Sequence, residues 1–290
     1  MTAHDATSTA QTTPTASPED LKTCCAAAYQ HDAVALILGD SYHPGGPALT
    51  RRLADSLGLK CGERVADVAS GPGTTALLLA AEYGVTVEGV DLGPAAVAAA
   101  TAGAAAAGVE GRVGFRVGDA ERLPLDDASV DAVVCECALC TFPDKAAAAA
   151  EMARVLKPGG RVGITDVTLD LDRLDPELTS LAGWVACIAD ARPAADYCRY
   201  LEQAGLDITL VEAHDDALAG MIDTIDARLA AYGMITLPAL AGLDIQAVRH
   251  KVAIARRAVA DGIAGYSLLV ARKPPREPTP DGHHDTGATP

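Results

Sequence analysis

Short apolar runs alternate with longer helical stretches through the middle of the chain. The runs have the length of buried strands, and the stretches between them reach ten residues or more. The predicted strands are residues 64–69, 86–92, 113–117, 130–136, 161–166, 207–212 and 266–272. The predicted helices are residues 74–83, 94–107, 145–156, 217–232 and 244–260. Strands that alternate with helices predict an α/β fold, here a doubly wound, mostly parallel sheet of seven strands covered on both faces.

Composition and the positions of turn-forming residues suggest how the chain is divided into segments. Residues 1–18 and 274–290 are rich in Pro, Thr and Ser, and we expect both to be disordered tails. Residues 19–59 are expected to form N-terminal cap and substrate helices, and 60–273 the sheet domain. The strand–helix rhythm breaks at about 170–200, where we expect a small helical cap over the carboxyl edge of the sheet. The sequence KPGG at 157–160 predicts a helix stop and turn before the fifth strand.

Charge and cysteine content narrow the function. The chain has 290 residues, 49 % of them hydrophobic, and its 23 Lys and Arg against 39 Asp and Glu give a net charge of −16. Such an acidic chain repels nucleic acid and anionic lipid, so neither is expected as a partner. The first 18 residues do not resemble a secretory signal, and eight cysteines are too few for a disulfide scaffold. We therefore expect a cytoplasmic protein whose cysteines are thiols.

Polar residues follow the first four predicted strands in an order typical of nucleotide binding. The sequence DVASGPG at 67–73 places glycines where a strand turns into a helix and a ligand can approach the backbone. Asp91 ends the second strand, eighteen residues after Gly73, where a carboxylate accepts ribose hydroxyls. Asp119 and Glu136 follow the third and fourth strands. A dehydrogenase is disfavoured because the G-x-G-x-x-G pattern is incomplete.

Over roughly residues 60–170 this ordered set resembles the class I S-adenosylmethionine-dependent methyltransferases. The resemblance implies S-adenosylmethionine as cofactor and a Rossmann-like methyltransferase sheet. It also implies that the glycine loop passes the methionine moiety, that the acid after the second strand holds the ribose and that the acid after the third meets the adenine amine. Ala69 stands where the family has its first loop glycine. The cofactor residues implied in this way are Asp67, Ala69, Gly71, Gly73, Asp91, Leu92, Asp119, Ala120 and Glu136.

The methyl acceptor is less defined. Oxygen and nitrogen acceptors usually need a base, and His31, His43 and His214 all lie outside the nucleotide motifs. Thiols are more prominent: the period of two in a strand places Cys135 and Cys137 on one side at the carboxyl edge, with Cys140 close behind. Buried cysteines usually serve packing, and we expect that role for Cys61, Cys135 and Cys198. Soft thiolates also select soft, thiophilic ions.

Residues 19–205 carry a second resemblance, to the arsenite methyltransferases. Its segments are EDLKTCC at 19–25, CTFPDK at 140–145, LKPGGRVGITDV at 156–167 and WVACIAD at 184–190. The resemblance implies that trivalent arsenic is held as substrate by Cys137, Cys187 and either Cys24 or Cys25, with Cys25 preferred, and that a thiol reductant such as thioredoxin or glutathione resets the enzyme. A further family cysteine is missing from GDSYHPGG at 39–46, where His43 or Cys140 could substitute.

Other functions remain open at this point. One is a small-molecule methyltransferase of secondary metabolism with an organic pocket around Trp184 and Tyr197. Another is a zinc-binding protein, and a third is an inactive S-adenosylmethionine-binding partner protein. The candidate zinc ligands are Cys135, Cys137, Cys140 and Cys187.

Overall fold

The computed structural model describes Lys22 and residues 32–39, 42–179, 190–233 and 244–276. The first predicted tail and most of the second lie outside this part of the chain. So do five residues that the sequence analysis singled out: Cys24, Cys25, His31, Trp184 and Cys187.

A seven-stranded sheet forms the centre of the described chain. Its strands are β1 Arg64–Val68, β2 Thr86–Asp91, β3 Val113–Val117, β4 Val130–Glu136, β5 Leu156–Leu169, β6 Asp207–Ala213 and β7 Ala264–Arg272. Their order across the sheet is β3-β2-β1-β4-β5-β7-β6, and β7 runs antiparallel to both of its neighbours. The prediction of a doubly wound, mostly parallel sheet is confirmed.

Helices cover the sheet. They are α1 Asp32–Leu38, α2 Gly46–Leu57, α3 Thr74–Tyr83, α4 Pro94–Ala107, α5 Lys145–Val155, α6 Pro176–Thr179, α7 Ala194–Gln203, α8 Asp215–Tyr232 and α9 Ile245–Ala260. The alanine-rich helix α4 begins with Pro94, whose fixed φ suits a first helical turn. Its buried residues are Ala100 and Ala104, so small side chains allow it to pack close to its neighbours.

The central strands explain why polar residues at their ends are informative. Every residue of β1 after Arg64 is buried, and β4 is buried over most of its length. Parallel strands covered on both faces are nearly continuous apolar runs. A carboxylate within or at the end of such a strand, like Asp67 or Glu136, therefore needs a compensating interaction.

Strand β5 differs from its prediction. The residues expected to form a turn, Lys157 to Gly160, lie inside the strand rather than before it. Gly159 has a left-handed φ of 78°, and the pairing with β4 shifts register at this point. The glycine thus lets a β-bulge form within a longer strand, and the predicted turn is wrong.

The predicted cap at 170–200 is not a single element. Residues 180–189 lie outside the described chain, while helix α7 packs against α5 and β6 as part of the layer beside the sheet. Tyr197 of α7 is fully buried, and its hydroxyl donates to the carbonyl of Val167 at 3.1 Å. Leu174 and Leu178 of the predicted cap line a cavity at the ends of β5 and β7 together with residues of α8 and α9, which lie between β6 and β7 in the chain.

Candidate functional site

A cavity of about 370 Å³ opens at the carboxyl edge of the sheet, where β1 to β4 end. We call it the strand-end cavity. Nearly all residues expected to contact a cofactor line it: Asp67, Ala69, Gly71, Asp91, Leu92, Asp119, Ala120 and Glu136. Gly73 does not. The ends of four neighbouring strands thus bring residues distant in sequence to one cavity.

The loop after β1 turns through left-handed residues. Ala69 has φ 59° and Gly71 has φ 51°. The left-handed region favours glycine, which is the residue that the resemblance to the methyltransferases implies at this position. Ala69 adopts the same backbone conformation with a methyl side chain. Gly73, with φ 85°, has a different role: a Cβ there would lie 2.6 Å from Cζ of Phe115. Gly73 therefore lets the loop pack closely and does not form the cavity wall, contrary to the prediction.

Asp67 places a carboxyl group in the buried part of the wall. Its side chain is 3 % exposed, and among the described residues its Oδ2 has no hydrogen-bond partner. Burial raises the pKa of this carboxyl well above its usual range, and the charges of Glu136 and Asp91 raise it further. The buried Ser70 Oγ, also in the cavity wall, likewise has no partner in the described chain. Both atoms are suited to a ligand with hydrogen-bond donors or positive charge.

Asp91 is fixed by backbone donors. Its Oδ2 accepts from the Gly71 N–H and its Oδ1 from the Gly93 N–H, each at 2.8 Å. A carboxylate oxygen has two lone pairs, so both oxygens can accept another hydrogen bond from a ligand. This geometry suits a pair of adjacent hydroxyls.

Asp119 is held by a lysine that the sequence analysis did not identify. Lys22 Nζ donates to Asp119 Oδ2 at 2.7 Å and pairs with Glu121 at 2.6 Å. Partial burial acts to raise the pKa of Asp119, but the hydrogen bonds from Lys22 and the Glu121 N–H, together with the charges of Lys22 and Arg122, outweigh it and the pKa is lowered. Lys22 and Asp119 both line the strand-end cavity, so the N-terminal part of the chain contributes to its wall.

Glu136 is held by three threonine hydroxyls from different elements. Thr75 Oγ1 donates to Oε2 at 2.6 Å, Thr50 Oγ1 to the same oxygen at 3.0 Å, and Thr165 Oγ1 to Oε1 at 3.4 Å. The Glu136 side chain is 4 % exposed. These contacts stabilise a buried carboxylate and fix its direction.

His43 faces this carboxylate. Its Nε2 lies 3.7 Å from Glu136 Oε2, and its Nδ1 lies 3.1 Å from the carbonyl oxygen of Pro44. When Nδ1 carries the proton and donates to that carbonyl, Nε2 keeps a lone pair and is the basic atom. His43 also lines the strand-end cavity. Of the histidines considered from the sequence, His214 pairs with Glu212 at 3.2 Å and lines neither cavity.

A second cavity of similar size, the apolar cavity, adjoins the first. It is enclosed by α1, by the ends of β5 and β7 and, above all, by α8 and α9. Its aliphatic wall includes Ile37, Leu169, Leu178, Met221, Ile222, Ile225, Val248 and Val252. Tyr42 and Cys137 line both cavities. A ligand in one would therefore lie next to a ligand in the other.

The clustered cysteines separate from one another. Cys137 follows β4, and its left-handed φ of 53° ends the alternation of side chains along the strand. The residue lines both cavities at their junction. Cys135 is fully buried in the core, and burial raises the pKa of its thiol well above the usual range. Cys140 is also fully buried, and its N–H donates to Asp166 Oδ2 at 3.0 Å. The expectation that Cys135 and Cys137 share one side is wrong, and Cys140 does not line either cavity.

The sequence analysis left a zinc site open and expected no membrane partner. Within the described ranges, the structure shows no group of three or more His, Cys, Asp or Glu side chains arranged to hold a metal ion. Of the four proposed zinc ligands, Cys187 lies outside those ranges. No described helix is both long and apolar enough to span a bilayer.

The sequence matches known methyltransferases. The model of the family described as methyltransferase domain matches residues 66–164. Methyltransferase GfsG of Streptomyces halstedii is 31 % identical over 242 residues, which are 81 % of this chain and 83 % of that protein. The 27-O-demethylrifamycin SV methyltransferase of Amycolatopsis mediterranei is 32 % identical over 78 % of this chain and 83 % of its own. An arsenite methyltransferase of Halobacterium salinarum is 35 % identical over 54 % of this chain and 40 % of its own.

Solved structures support the same fold. A putative sarcosine dimethylglycine methyltransferase from Galdieria sulphuraria has a TM-score of 0.71 at 20 % identity, covering 80 % of this chain and 86 % of its own. The [4+2]-cyclase SpnF also has a TM-score of 0.71, at 24 % identity, covering 91 % and 99 %. The chain belongs to the class I S-adenosylmethionine-dependent methyltransferases, and S-adenosylmethionine is its cofactor.

The residues of the strand-end cavity fit this cofactor. S-adenosylmethionine carries positive charge on its sulfonium and amino groups, which complements the buried carboxylate of Asp67. Asp91 can accept from the two ribose hydroxyls without losing its backbone donors. The unpartnered Ser70 hydroxyl adds a further polar contact. When bound, the cofactor supplies a methyl group on sulfur that an acceptor atom can displace.

Asp67→Asn tests the role of buried charge. A carboxyl whose pKa is raised on folding stabilises the folded state most below its unfolded pKa, and this contribution is lost as pH rises through the folded pKa. We therefore expect Asp67→Asn to gain stability over wild type as pH rises above about 4, while its affinity for S-adenosylmethionine falls by about tenfold or more. Urea unfolding and calorimetric titration across pH measure the two effects.

Asp131→Asn is the matched control. Burial acts to raise the pKa of Asp131, but hydrogen bonds from the Arg64 N–H and Lys157 lower it. Its contribution to stability is present above about pH 4 and is lost as pH falls further, so the control should lose stability at neutral pH and keep its cofactor affinity. A parallel pH response of the two variants, or unchanged cofactor affinity in Asp67→Asn, would contradict the assignment.

Proposed function

We propose that this methyltransferase transfers a methyl group to a hydroxyl oxygen of an apolar small molecule bound in the apolar cavity. The observation that carries the proposal is the meeting of that cavity with the strand-end cavity at Tyr42 and Cys137. Aligning an acceptor beside the methyl donor is the main requirement of a displacement reaction.

The wall of the apolar cavity selects the acceptor class. Apolar side chains from α1, α8 and α9 dominate it, so a ligand that buries hydrocarbon gains free energy there. A polyol acceptor would lose the hydration of its many hydroxyls without compensating donors along most of this wall. The relative that acts on 27-O-demethylrifamycin SV, which by its name is methylated at oxygen, supports an organic hydroxyl as acceptor.

His43 is the proposed general base. His43 lines the strand-end cavity together with Tyr42, and in the proposed reaction its Nε2 takes the hydroxyl proton as the acceptor oxygen bonds to the methyl carbon and the bond from that carbon to sulfur breaks. The positive charge formed on the imidazole is stabilised by Glu136, whose Oε2 lies 3.7 Å away. The three threonine hydroxyls hold Glu136 in place for this role.

Tyr42 is the proposed orienting donor. Burial raises the pKa of its phenol, so the group keeps its proton at neutral pH. A protonated phenol at the junction can donate a hydrogen bond to the acceptor oxygen and set its direction. Both residues lie in the segment before α2, so the N-terminal part of the chain completes the reaction site.

His43→Asn tests the function and the base together. Labelled S-adenosylmethionine is incubated with a panel of hydroxylated terpenoids, polyketides and fatty acids, and the methyl ethers are identified by mass spectrometry. We expect wild type to methylate one of these classes and His43→Asn to lower kcat by about a hundredfold or more while the cofactor still binds.

His214→Asn is the control, because His214 lies outside both cavities. It should keep full activity. The proposal would be overturned by transfer to polyhydroxylated acceptors alone, or by equal kcat values in His43→Asn and wild type.

Methylation of trivalent arsenic is the second candidate function. The observation that favours it is the position of Cys137 at the junction of the cavities, with a thiol next to the cofactor site. In this reaction Cys137, Cys187 and Cys25 would hold arsenic as substrate, and a thiol reductant would reset the enzyme. Cys25 and Cys187 lie outside the described residues. The organic acceptor has more support from the relatives, because the rifamycin methyltransferase matches over 78 % of this chain and the arsenite methyltransferase over 54 %.

Cys137→Ser separates the two functions. For an organic acceptor we expect the variant to keep its turnover, because the thiol is only part of the wall. For arsenite, loss of a soft ligand should abolish methylated arsenicals in a reaction with S-adenosylmethionine and reduced thiol. Cys61→Ser, at an exposed position outside both cavities, is the control. Thiol-dependent arsenite methylation by wild type that Cys137→Ser loses would favour the second function.

A further inference from the structure

Lys251 is a cation in the wall of the apolar cavity. It lies on α9, is half-buried, and lines the cavity among aliphatic residues. The other charged residue of the lining, Asp244, caps α9 by accepting from the Ala247 N–H at 3.0 Å. No hydrogen bond or ion pair of the Lys251 ammonium is found within the described part of the chain.

Three other basic residues of α9 have acidic partners. Arg249 pairs with Asp226 at 2.8 Å, Arg256 with Asp223 at 2.9 Å, and His250 with Glu177 at 3.1 Å. The acidic side chains of α8 and α6 thus pair with these residues, whereas Lys251 lines the cavity. An ammonium beside apolar walls is most favourable when an anion accompanies it.

The position of Lys251 along α9 sets its distance from the end of the helix that adjoins the sheet. Ala258 lies near the sheet, because its carbonyl accepts from the Ile263 N–H at 2.8 Å just before β7 begins. Lys251 precedes Ala258 by seven residues, and a rise of 1.5 Å per residue separates them by about 10 Å along the helix. Cys137 and Val167 mark the sheet end of the same cavity. Lys251 therefore lies about two turns along α9 from the end of the helix that adjoins the sheet.

We infer that the acceptor is amphipathic, with a carboxylate or comparable anionic group that Lys251 binds while its hydroxyl lies at the sheet end of the apolar cavity. This inference rests on the proposed function and adds the chemistry of the far end of the substrate. Lys251 would then determine specificity without touching the reacting atoms. The pairing fixes the direction in which a long apolar molecule enters.

The experiment compares two probes of equal length, omega-hydroxydecanoate and decanediol. They share the hydroxyl and the hydrocarbon chain and differ in the carboxylate. Their dissociation constants are measured by calorimetric titration, with S-adenosylhomocysteine present, for wild type, Lys251→Met, Lys251→Arg and Arg257→Met. Lys251→Met keeps an apolar stem, and Arg257 is an exposed cation of the same helix outside the cavity.

We expect wild type to bind the hydroxy acid about tenfold more tightly than the diol, because a hydrogen bond to a charged group contributes on that scale. Lys251→Met should lose this preference without changing its affinity for the diol, whereas Lys251→Arg and Arg257→Met should keep it. Equal binding of the two probes to wild type, or an unchanged preference in Lys251→Met, would overturn this inference alone. Failure of both probes to bind would overturn the apolar site itself and the inference with it.

Discussion

A cluster of buried carboxyl groups in the wall of the strand-end cavity is the constraint on which the site depends. Asp67 lies in β1, where burial raises the pKa of its carboxyl and the charges of Glu136 and Asp91 raise it further. Backbone donors serve Asp91 and threonine hydroxyls serve Glu136, but one oxygen of Asp67 has no partner within the described residues. A cationic ligand would supply positive charge beside these carboxyl groups. The wall therefore suits S-adenosylmethionine whatever the acceptor is.

In the proposed function the two cavities divide recognition between two parts of the molecule. The first four strands form the wall of the strand-end cavity, whereas α1, α8 and α9 form most of the wall of the apolar cavity. Strand β4 connects them, because its left-handed end at Cys137 faces both. The fold alone does not define the reaction, as the similarity to a [4+2]-cyclase illustrates. Changes in the helical wall can alter the acceptor without disturbing the cofactor site.

The sequence predicted what depends on local pattern. Buried parallel strands give continuous apolar runs, and ligand-facing acids follow them at fixed places, so Asp67, Asp91, Asp119 and Glu136 could be located before the fold was known. What depends on tertiary packing was missed. The helices α8 and α9 were predicted but not their role as a wall. Lys22 was noted only as part of the segment at 19–25, and Lys251 belongs to no motif. Cys135 and Cys137 were wrongly placed on one side because the left-handed backbone of Cys137 ends the strand alternation on which the prediction relied.

The central claim is that cofactor and acceptor meet at the opening lined by Tyr42 and Cys137. A crystal structure with S-adenosylhomocysteine and decanediol tests it most directly. The account predicts that the cofactor sulfur lies within van der Waals contact, about 4 Å, of Tyr42 or Cys137, with a diol hydroxyl near His43 and the hydrocarbon between α8 and α9. A sulfur that faces away from this opening, or a diol bound outside the apolar cavity, would contradict it.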